Sequence, residues 1–271
     1  METQKILYET RDRIAWITLN RPESLNAVNR EMQRELIRCC QLANQDPEVQ
    51  VVIVRGAGER AFSVGGDLKD RARANEAAAE ARRSPLEERQ ARHAPGIHTP
   101  PQAFAALDKP SIALLHGYVI GTGLLIALAC DIRIAADNAR LGLSEVRRGF
   151  MPASGGTQRL ARIVGIPKAL EICLSGELYD AQEAYRIGLV NQVVGFDELA
   201  AAGEKMARSF AKGAPLALRY IKEAIYKGSD LPLEQALRLE SDLATFVLTT
   251  EDSKEGPRAF VEKREPEWKG R

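Results

Sequence analysis

Three short segments of this sequence contain the residue types that anion binding and acid–base chemistry require. The first is the Gly-Gly-Asp turn at residues 65–67, which follows an apolar segment and precedes a helical pattern. Consecutive glycines let backbone N–H groups come close to a ligand, and the start of a helix favours negative charge. An anion-binding turn and an ordinary strand-to-helix turn both fit this segment taken alone.

The second segment is Gly121-Thr122-Gly123, which also separates a strand pattern from a helical one. Its glycine spacing is similar to the start of a dinucleotide-binding fingerprint. That fingerprint requires a third glycine where Ile126 stands, and this turn lies in the middle of the chain. We therefore exclude nucleotide binding at this turn.

The third segment contains Glu145, which follows a short apolar stretch and precedes Gly149 and the glycine turn at 154–156. A carboxylate held between such turns can project into a cleft and exchange protons with a bound molecule. A solvated surface charge is the alternative for any single glutamate.

Alternating strand and helix patterns predict a layered α/β fold around these segments. Ile14–Leu19 is predicted as a strand and residues 29–42 as a helix, followed by an all-apolar strand at 51–54. Such a strand is normally covered on both faces, which indicates a parallel sheet with helices packed outside.

The same unit recurs about four times before residue 195. Strands are predicted at 111–115 and 132–135, separated by a tight turn at 117–123 and a helix at 124–129. From residue 197 onward the strand patterns stop, and helices are predicted to begin at Asp197, Pro215 and Pro232. A charged helix and a proline-rich loop between Asp70 and Pro101 are predicted to border a pocket.

Composition excludes several classes of function. The 38 basic and 37 acidic residues give a formal charge of +1, which offers no general attraction to nucleic acid or to an anionic membrane. The longest apolar run, at 124–130, is too short to span a bilayer, and the N-terminus lacks a signal-peptide pattern, so we expect a cytoplasmic protein. Four scattered cysteines and three histidines form no metal-ligand pattern, so neither a metal nor a disulfide is expected.

Taken together, the motifs resemble those of the enoyl-CoA hydratase/isomerase family, also called the crotonase superfamily. The resemblance covers nearly the whole chain, from Leu-Asn-Arg-Pro at 19–22 and Leu-Asn-Ala at 25–27 to the segment at 255–264. It implies a spiral of strand-strand-helix turns at 1–196, which carries the CoA site and the active site. It also implies a helical region at 197–271 that forms a homotrimer or a dimer of trimers.

The resemblance also implies a site for an acyl-CoA thioester, with CoA as part of the substrate and no separate cofactor. Gly66 and Thr122 match the two residues whose backbone N–H groups form the family's oxyanion hole, and Glu145 matches the second of its two glutamates. A backbone donor survives the exchange of the usual glycine for Thr122. The residues implied to bind substrate are Ser24, Leu25, Asn26, Ser63, Val64, Gly65, Asp67, Leu68, Gly121 and Leu125, with Phe260 and Lys263 reaching the CoA of a neighbouring subunit.

One departure from the family pattern bears on the reaction. The first catalytic glutamate of the family's hydratases falls on Leu125, which cannot exchange a proton. A single base, Glu145, still suffices for double-bond isomerisation, which we expect ahead of hydration, while Ala153 replaces the aspartate of dienoyl isomerases. Hydration by Glu145 alone and a pseudoenzyme that binds CoA esters are the alternatives. Arg147 and Arg148 are predicted to be solvated or interface charges, and the lone histidines His93 and His98 to be surface or loop residues.

Overall fold

A six-stranded sheet forms the centre of the fold. The computed structural model describes residues 4–80, 84, 86–87 and 96–271. The strand order is β1-β2-β3-β5-β7-β10, parallel except for the antiparallel β1–β2 pair. These strands are β1 Ile6–Arg11, β2 Ile14–Leu19, β3 Val51–Gly56, β5 Ser111–Leu115, β7 Ile132–Ala136 and β10 Gln192–Val194.

A second, smaller sheet lies beside the first and consists of very short strands. It contains β4 Ala61–Ser63, β6 Tyr118–Ile120, β8 Arg140–Gly142 and β9 Tyr179–Asp180, in the order β4-β6-β8-β9. The chain passes from the large sheet to the small one at β3–β4, β5–β6 and β7–β8. The predicted turn at 117–123 therefore contains a strand, which the sequence analysis missed.

Helices follow the strand pairs and cover both faces of the large sheet. In chain order they are α1 Arg30–Gln45, α2 Leu68–Glu80, α3 Pro100–Ala105, α4 Thr122–Ala129, α5 Gly156–Val164, α6 Ile166–Ser175, α7 Ala181–Arg186, α8 Leu199–Ala211, α9 Pro215–Gly228, α10 Leu233–Leu248 and α11 Asp252–Glu262. The Asn29 side chain caps α1 by accepting a hydrogen bond from the amide of Met32.

Alternate residues of each central strand belong to different apolar cores. Trp16 and Ile53 pack in the smaller core with Leu199 and Ala207 of α8, whereas Ile17 and Val54 belong to the main core. A strand buried on both faces needs apolar residues at every position, so the prediction from the all-apolar run at 51–54 is confirmed.

The C-terminal region is helical, as predicted. Residues 197–271, all of which the structure describes, contain no strand. α9 begins at Pro215 as predicted, but Asp197 lies in a 3-10 turn before α8, and Pro232 precedes α10. The Asp252 carboxylate accepts hydrogen bonds from the amides of Lys269 and Gly270, and these bonds hold the C-terminal segment against α11. No described helix combines the length and the apolar composition needed to cross a membrane.

Candidate functional site

The two glycine-rich turns meet at the edge of the small sheet. Gly65 and Gly121 both have positive φ angles, 99° and 53°, which favour glycine. A Cβ atom built onto Gly65 would lie 3.3 Å from the amide nitrogen of Thr122, and one on Gly66 would lie 3.6 Å from Thr122 Oγ1. The fold thus brings the predicted pair of backbone donors into one place.

Both predicted donors are available for a ligand. The neighbours of the Gly66 amide are engaged, since Gly65 O accepts from Val28 and the Asp67 amide donates to Val28 O. Neither the Gly66 amide nor the Thr122 amide donates to another residue in the described ranges. Thr122 is the first residue of α4, where the helix dipole adds to the attraction for negative charge.

A hydrogen-bond network behind the first turn holds it in place. The Asn26 side chain accepts from the Arg21 amide and donates to Ala57 O and Ala61 O. Ser63 Oγ donates to Asn26 O at 2.8 Å and accepts from the Gly65 amide at 3.2 Å. Asn26 and Ser63 are fully buried. Their side chains therefore support the turn from behind, and any contact of these two residues with substrate would be made through the backbone.

Asp67 has two contacts that fix the start of α2. Its Oδ1 atom accepts from the amides of Lys69 and Asp70, and its Oδ2 atom lies 3.1 Å from Nη1 of Arg21. Burial acts to raise the pKa of Asp67, but these hydrogen bonds outweigh burial and hold it below its ordinary value. Asp67 is therefore an ion-pair partner and a helix cap.

Glu145 faces the second turn. It begins the 3-10 helix Glu145–Arg148, and its Oε1 atom lies 3.4 Å from a Cβ atom built onto Gly121. The Oε2 atom is buried and has no hydrogen-bond partner among the described residues. Burial raises the pKa of Glu145, while a hydrogen bond with its own amide and the charge of Arg148 oppose the rise. This geometry suits a carboxylate that takes up and releases a proton.

Leu125 forms an apolar wall near these groups. The side chain is 6% exposed, and a Cβ atom built onto Gly156 would lie only 2.3 Å from its Cδ2 atom. The absence of a side chain at Gly156 therefore makes room for Leu125 between α4 and α5.

A cavity of about 880 Å³ connects these features. It is lined by most of the predicted residues, namely Ser24, Val64, Gly65, Gly66, Asp67, Leu68, Gly121, Thr122, Leu125 and Glu145. Leu25 does not line it, although its amide and carbonyl support the neighbouring turns. Asp70 and Arg71 also line the cavity, so the start of the 70–101 segment borders a pocket as predicted.

Other predictions fall outside the cavity. Phe260, which is 85% exposed, and Lys263 lie at the end of α11 and do not line it. His93 lies outside the described residues. No group of three potential metal ligands occurs in the described part of the chain.

Sequence reasoning missed several residues that line the cavity. Arg148 is exposed, as predicted, but it also lines the cavity, together with Arg71, Phe150 and Met151. Position in the sequence gave no signal for this group, because α2 and the segment after Glu145 meet only in the folded chain. The Arg147 side chain instead donates to Ser175 O and pairs with Glu177.

Comparison with known proteins gives concordant matches over nearly the whole chain. The family model described as "Enoyl-CoA hydratase/isomerase" matches residues 9–271. The short-chain-enoyl-CoA hydratase of Clostridium acetobutylicum is 37% identical, with 98% of each chain covered, and the 2,3-dehydroadipyl-CoA hydratase of Escherichia coli is 36% identical, with 98% of this chain and 99% of the relative covered. A solved enoyl-CoA hydratase from Bacillus anthracis superposes with a TM-score of 0.87 at 35% identity, covering 99% of this chain and all of that one.

Proposed function

Because this chain belongs to the enoyl-CoA hydratase/isomerase family, we propose that it moves a double bond in an acyl-CoA thioester with Glu145 as its single acid/base. Family membership makes it an enzyme of the hydratase/isomerase type with a crotonase-like fold. The finer assignment rests on one observation. Glu145 lines the cavity beside Gly121 and shares it with the two free backbone amides. Leu125 falls where the resemblance to the family implies a second glutamate.

The two amides stabilise the charge that the reaction creates. Removal of a proton from the carbon between the thioester and a 3,4 double bond places negative charge on the thioester oxygen. The amides of Gly66 and Thr122 donate to that oxygen and stabilise the enolate more than the ground state, and loss of one such donor typically costs about 100-fold to 1000-fold in rate.

Glu145 moves the proton between two carbon atoms. Its carboxylate takes the proton from C2, the enolate forms, and the electron pair shifts so that the double bond lies between C2 and C3. The same carboxyl group then returns the proton to C4, so atoms and charge balance without a second acid. The carboxyl group assigned this role lines the cavity and faces Gly121 through its Oε1 atom.

Hydration is the second candidate, and the names of the relatives favour it. The compared relatives at 36–37% identity are named hydratases. In this alternative Glu145 alone activates water and protonates the enolate. A CoA-ester-binding pseudoenzyme is the weaker alternative, because Glu145 and both amides are in place.

The remaining assignments follow from the same family membership. We propose an acyl-CoA thioester as substrate, no separate cofactor, and a homotrimer or dimer of trimers in which Phe260 and Lys263 reach a neighbouring subunit's CoA. Free Cys39, Cys40 and Cys130, all buried, suit the reducing cytoplasm. The balanced charge supports neither nucleic-acid nor membrane binding as a function.

The decisive experiment incubates 2-enoyl-CoA and 3-enoyl-CoA thioesters with enzyme in heavy water and identifies the products by mass spectrometry. We expect the double-bond positions to interconvert without addition of water. Glu145→Gln should lower the rate by about 100-fold to 10,000-fold, whereas Glu234→Gln, on an exposed part of α10, should retain it. Addition of water would establish the hydratase, and binding of thioesters without any product would leave the pseudoenzyme.

A further inference from the structure

Two arginines, Arg71 and Arg148, line the same cavity as Glu145. Arg71 comes from the first turns of α2, and Arg148 ends the 3-10 helix that Glu145 begins. Both side chains line the cavity, together with Phe150. The proposed proton transfer uses neither arginine, so their presence in this cavity requires another explanation.

Phe150 holds Arg71 in a defined orientation. The guanidinium carbon of Arg71 lies 3.8 Å from the centroid of the Phe150 ring. The Phe150 amide in turn donates to Glu145 O at 3.1 Å, so the ring is tied to the backbone of Glu145. A guanidinium that stacks on a ring keeps its N–H edge available for hydrogen bonds.

Arg148 is anchored by a neutral group. Its Nη1 atom donates to Ser144 Oγ at 2.7 Å, within the turn that precedes Glu145. In the described part of the chain, neither Arg148 nor Arg71 forms an ion pair with a carboxylate, whereas Arg21 pairs with Asp67 and Arg147 with Glu177. The cavity wall thus carries two positive charges that the described carboxylates do not pair with.

We propose that the acyl group of the substrate carries a carboxylate remote from the thioester, and that Arg71 and Arg148 bind it. This inference rests on the proposed function, because that function fixes the orientation of the substrate. The thioester oxygen lies at the amides of Gly66 and Thr122, and the carbon that loses its proton lies at Glu145. Arg148 and Phe150 adjoin Glu145, so a group that contacts them belongs to the acyl chain.

The phosphates of CoA are the other anions that the two arginines could bind. The positions predicted for CoA and for the acyl group distinguish these phosphates from an acyl carboxylate. The CoA moiety is predicted to lie along the turn at 24–26 and the segment at 63–68, where Arg21 is already paired with Asp67. Arg148 instead lies three residues after Glu145, and Arg71 stacks on Phe150, whose amide donates to Glu145 O. Guanidinium groups match the planar geometry of a carboxylate through paired hydrogen bonds.

The test compares two thioesters of equal chain length, one ending in a methyl group and one ending in a carboxylate. We expect kcat/KM to favour the carboxylated thioester by about 10-fold to 100-fold, the range that a hydrogen bond between charged groups supplies. Arg71→Gln and Arg148→Gln should each reduce kcat/KM more for the carboxylated thioester than for the methyl one. Arg186→Gln, on the exposed surface of α7, is the matched control and should change neither.

Binding measurements separate failure of this inference from failure of the proposed function. Saturated thioesters of both kinds are titrated by calorimetry, which requires no turnover. A preference for the carboxylated thioester that Arg71→Gln weakens would support the inference even if no double bond moves. Equal affinity of wild type for the two thioesters would overturn the inference. So would variants that lose as much affinity for free CoA as for the carboxylated thioester, because the arginines would then bind the CoA moiety. Neither outcome bears on isomerase activity.

Discussion

At the scale of single residues, Glu145 links the reaction to pH. Proton abstraction requires the carboxylate, and burial raises its pKa. We therefore expect kcat/KM to fall as the pH drops through that raised pKa. Arg148 opposes the rise through its charge, so Arg148→Gln should move the acidic limb to higher pH. A pH–rate profile of both proteins tests this, and coincident acidic limbs would contradict it.

The same burial makes Glu145 costly to stability. Because its pKa is higher in the folded chain than the ordinary value of 4.5, the folded state holds the proton more tightly. The stability that this provides is present at low pH and is lost as the pH rises from 4.5 through the folded pKa. Glu145→Gln should therefore be more stable than wild type at neutral pH, with the gain vanishing at acidic pH.

Urea unfolding on both sides of this pH window measures the difference. Glu234→Gln, which removes an exposed carboxylate of α10, serves as the control and should show no comparable dependence. A difference between Glu145→Gln and wild type that is constant across the window would contradict the predicted linkage.

Leu125 is the residue whose apolar side chain leaves Glu145 as the proposed single acid/base. Leu125→Glu places a second carboxylate on the first turn of α4, at the position of the family's other glutamate. We expect the variant to add water to 2-enoyl-CoA thioesters at a higher rate than wild type, with a lower rate of double-bond migration. The ratio of hydrated to isomerised product by mass spectrometry tests this, and an unchanged ratio would mean that Leu125 does not select the reaction.

At the scale of elements, α4 and α5 fit together through a single glycine. A Cβ atom on Gly156 would lie 2.3 Å from Leu125 Cδ2, and such overpacking typically costs about 1–3 kcal/mol. Gly156→Ala should thus destabilise the wild-type chain. In a Leu125→Ala background the same change should cost less, because the tightest remaining contact of the new Cβ atom would be Pro152 Cβ at 3.1 Å. Additive effects in this double-mutant cycle would show that the two helices do not meet through this pair.

Elements with long apolar patterns could be predicted from the sequence, and the shortest elements could not. β2 and β5 were located to the residue, because buried strands show a continuous apolar run. The strands of the small sheet contain only two or three residues, too few to show a period. Their pairing depends on contacts with distant strands, so the second sheet became visible only in the structure.

The candidate site divides in the same way. The glycine turns and Glu145 were identified because backbone donors and a carboxylate leave a local sequence signature. Two other features depend on segments that meet only after folding. These are the supporting role of Asn26 and Ser63, and the approach of Arg71 and Arg148 to the same cavity. Arg71 and Phe150 are far apart in the chain, and only the packing of α2 brings them together.

At the scale of the whole molecule, the functional turns line a cavity to which the C-terminal helices contribute no residue. Large apolar side chains remain exposed on those helices, including Ile225 on α9, Leu233 and Leu248 on α10, and Phe260 on α11. Exposed apolar side chains that form a contiguous patch mark interaction sites in soluble proteins. The proposed trimer gives these side chains a partner of the same sequence.

Charge substitution on α9 tests that assembly. Ile221 and Ile225 lie one turn apart and are 58% and 65% exposed, so Ile221→Glu with Ile225→Glu places two charges on one helix face. We expect wild type to sediment as a trimer or hexamer and this variant as smaller species with a lower Tm, since association stabilises the folded chain. Lys227→Glu, an exposed charge change on the same helix, controls for charge alone. Because Phe260 and Lys263 are proposed to reach a neighbouring subunit's CoA, dissociation should also raise KM. A wild-type monomer with full activity would refute both the assembly and that contact.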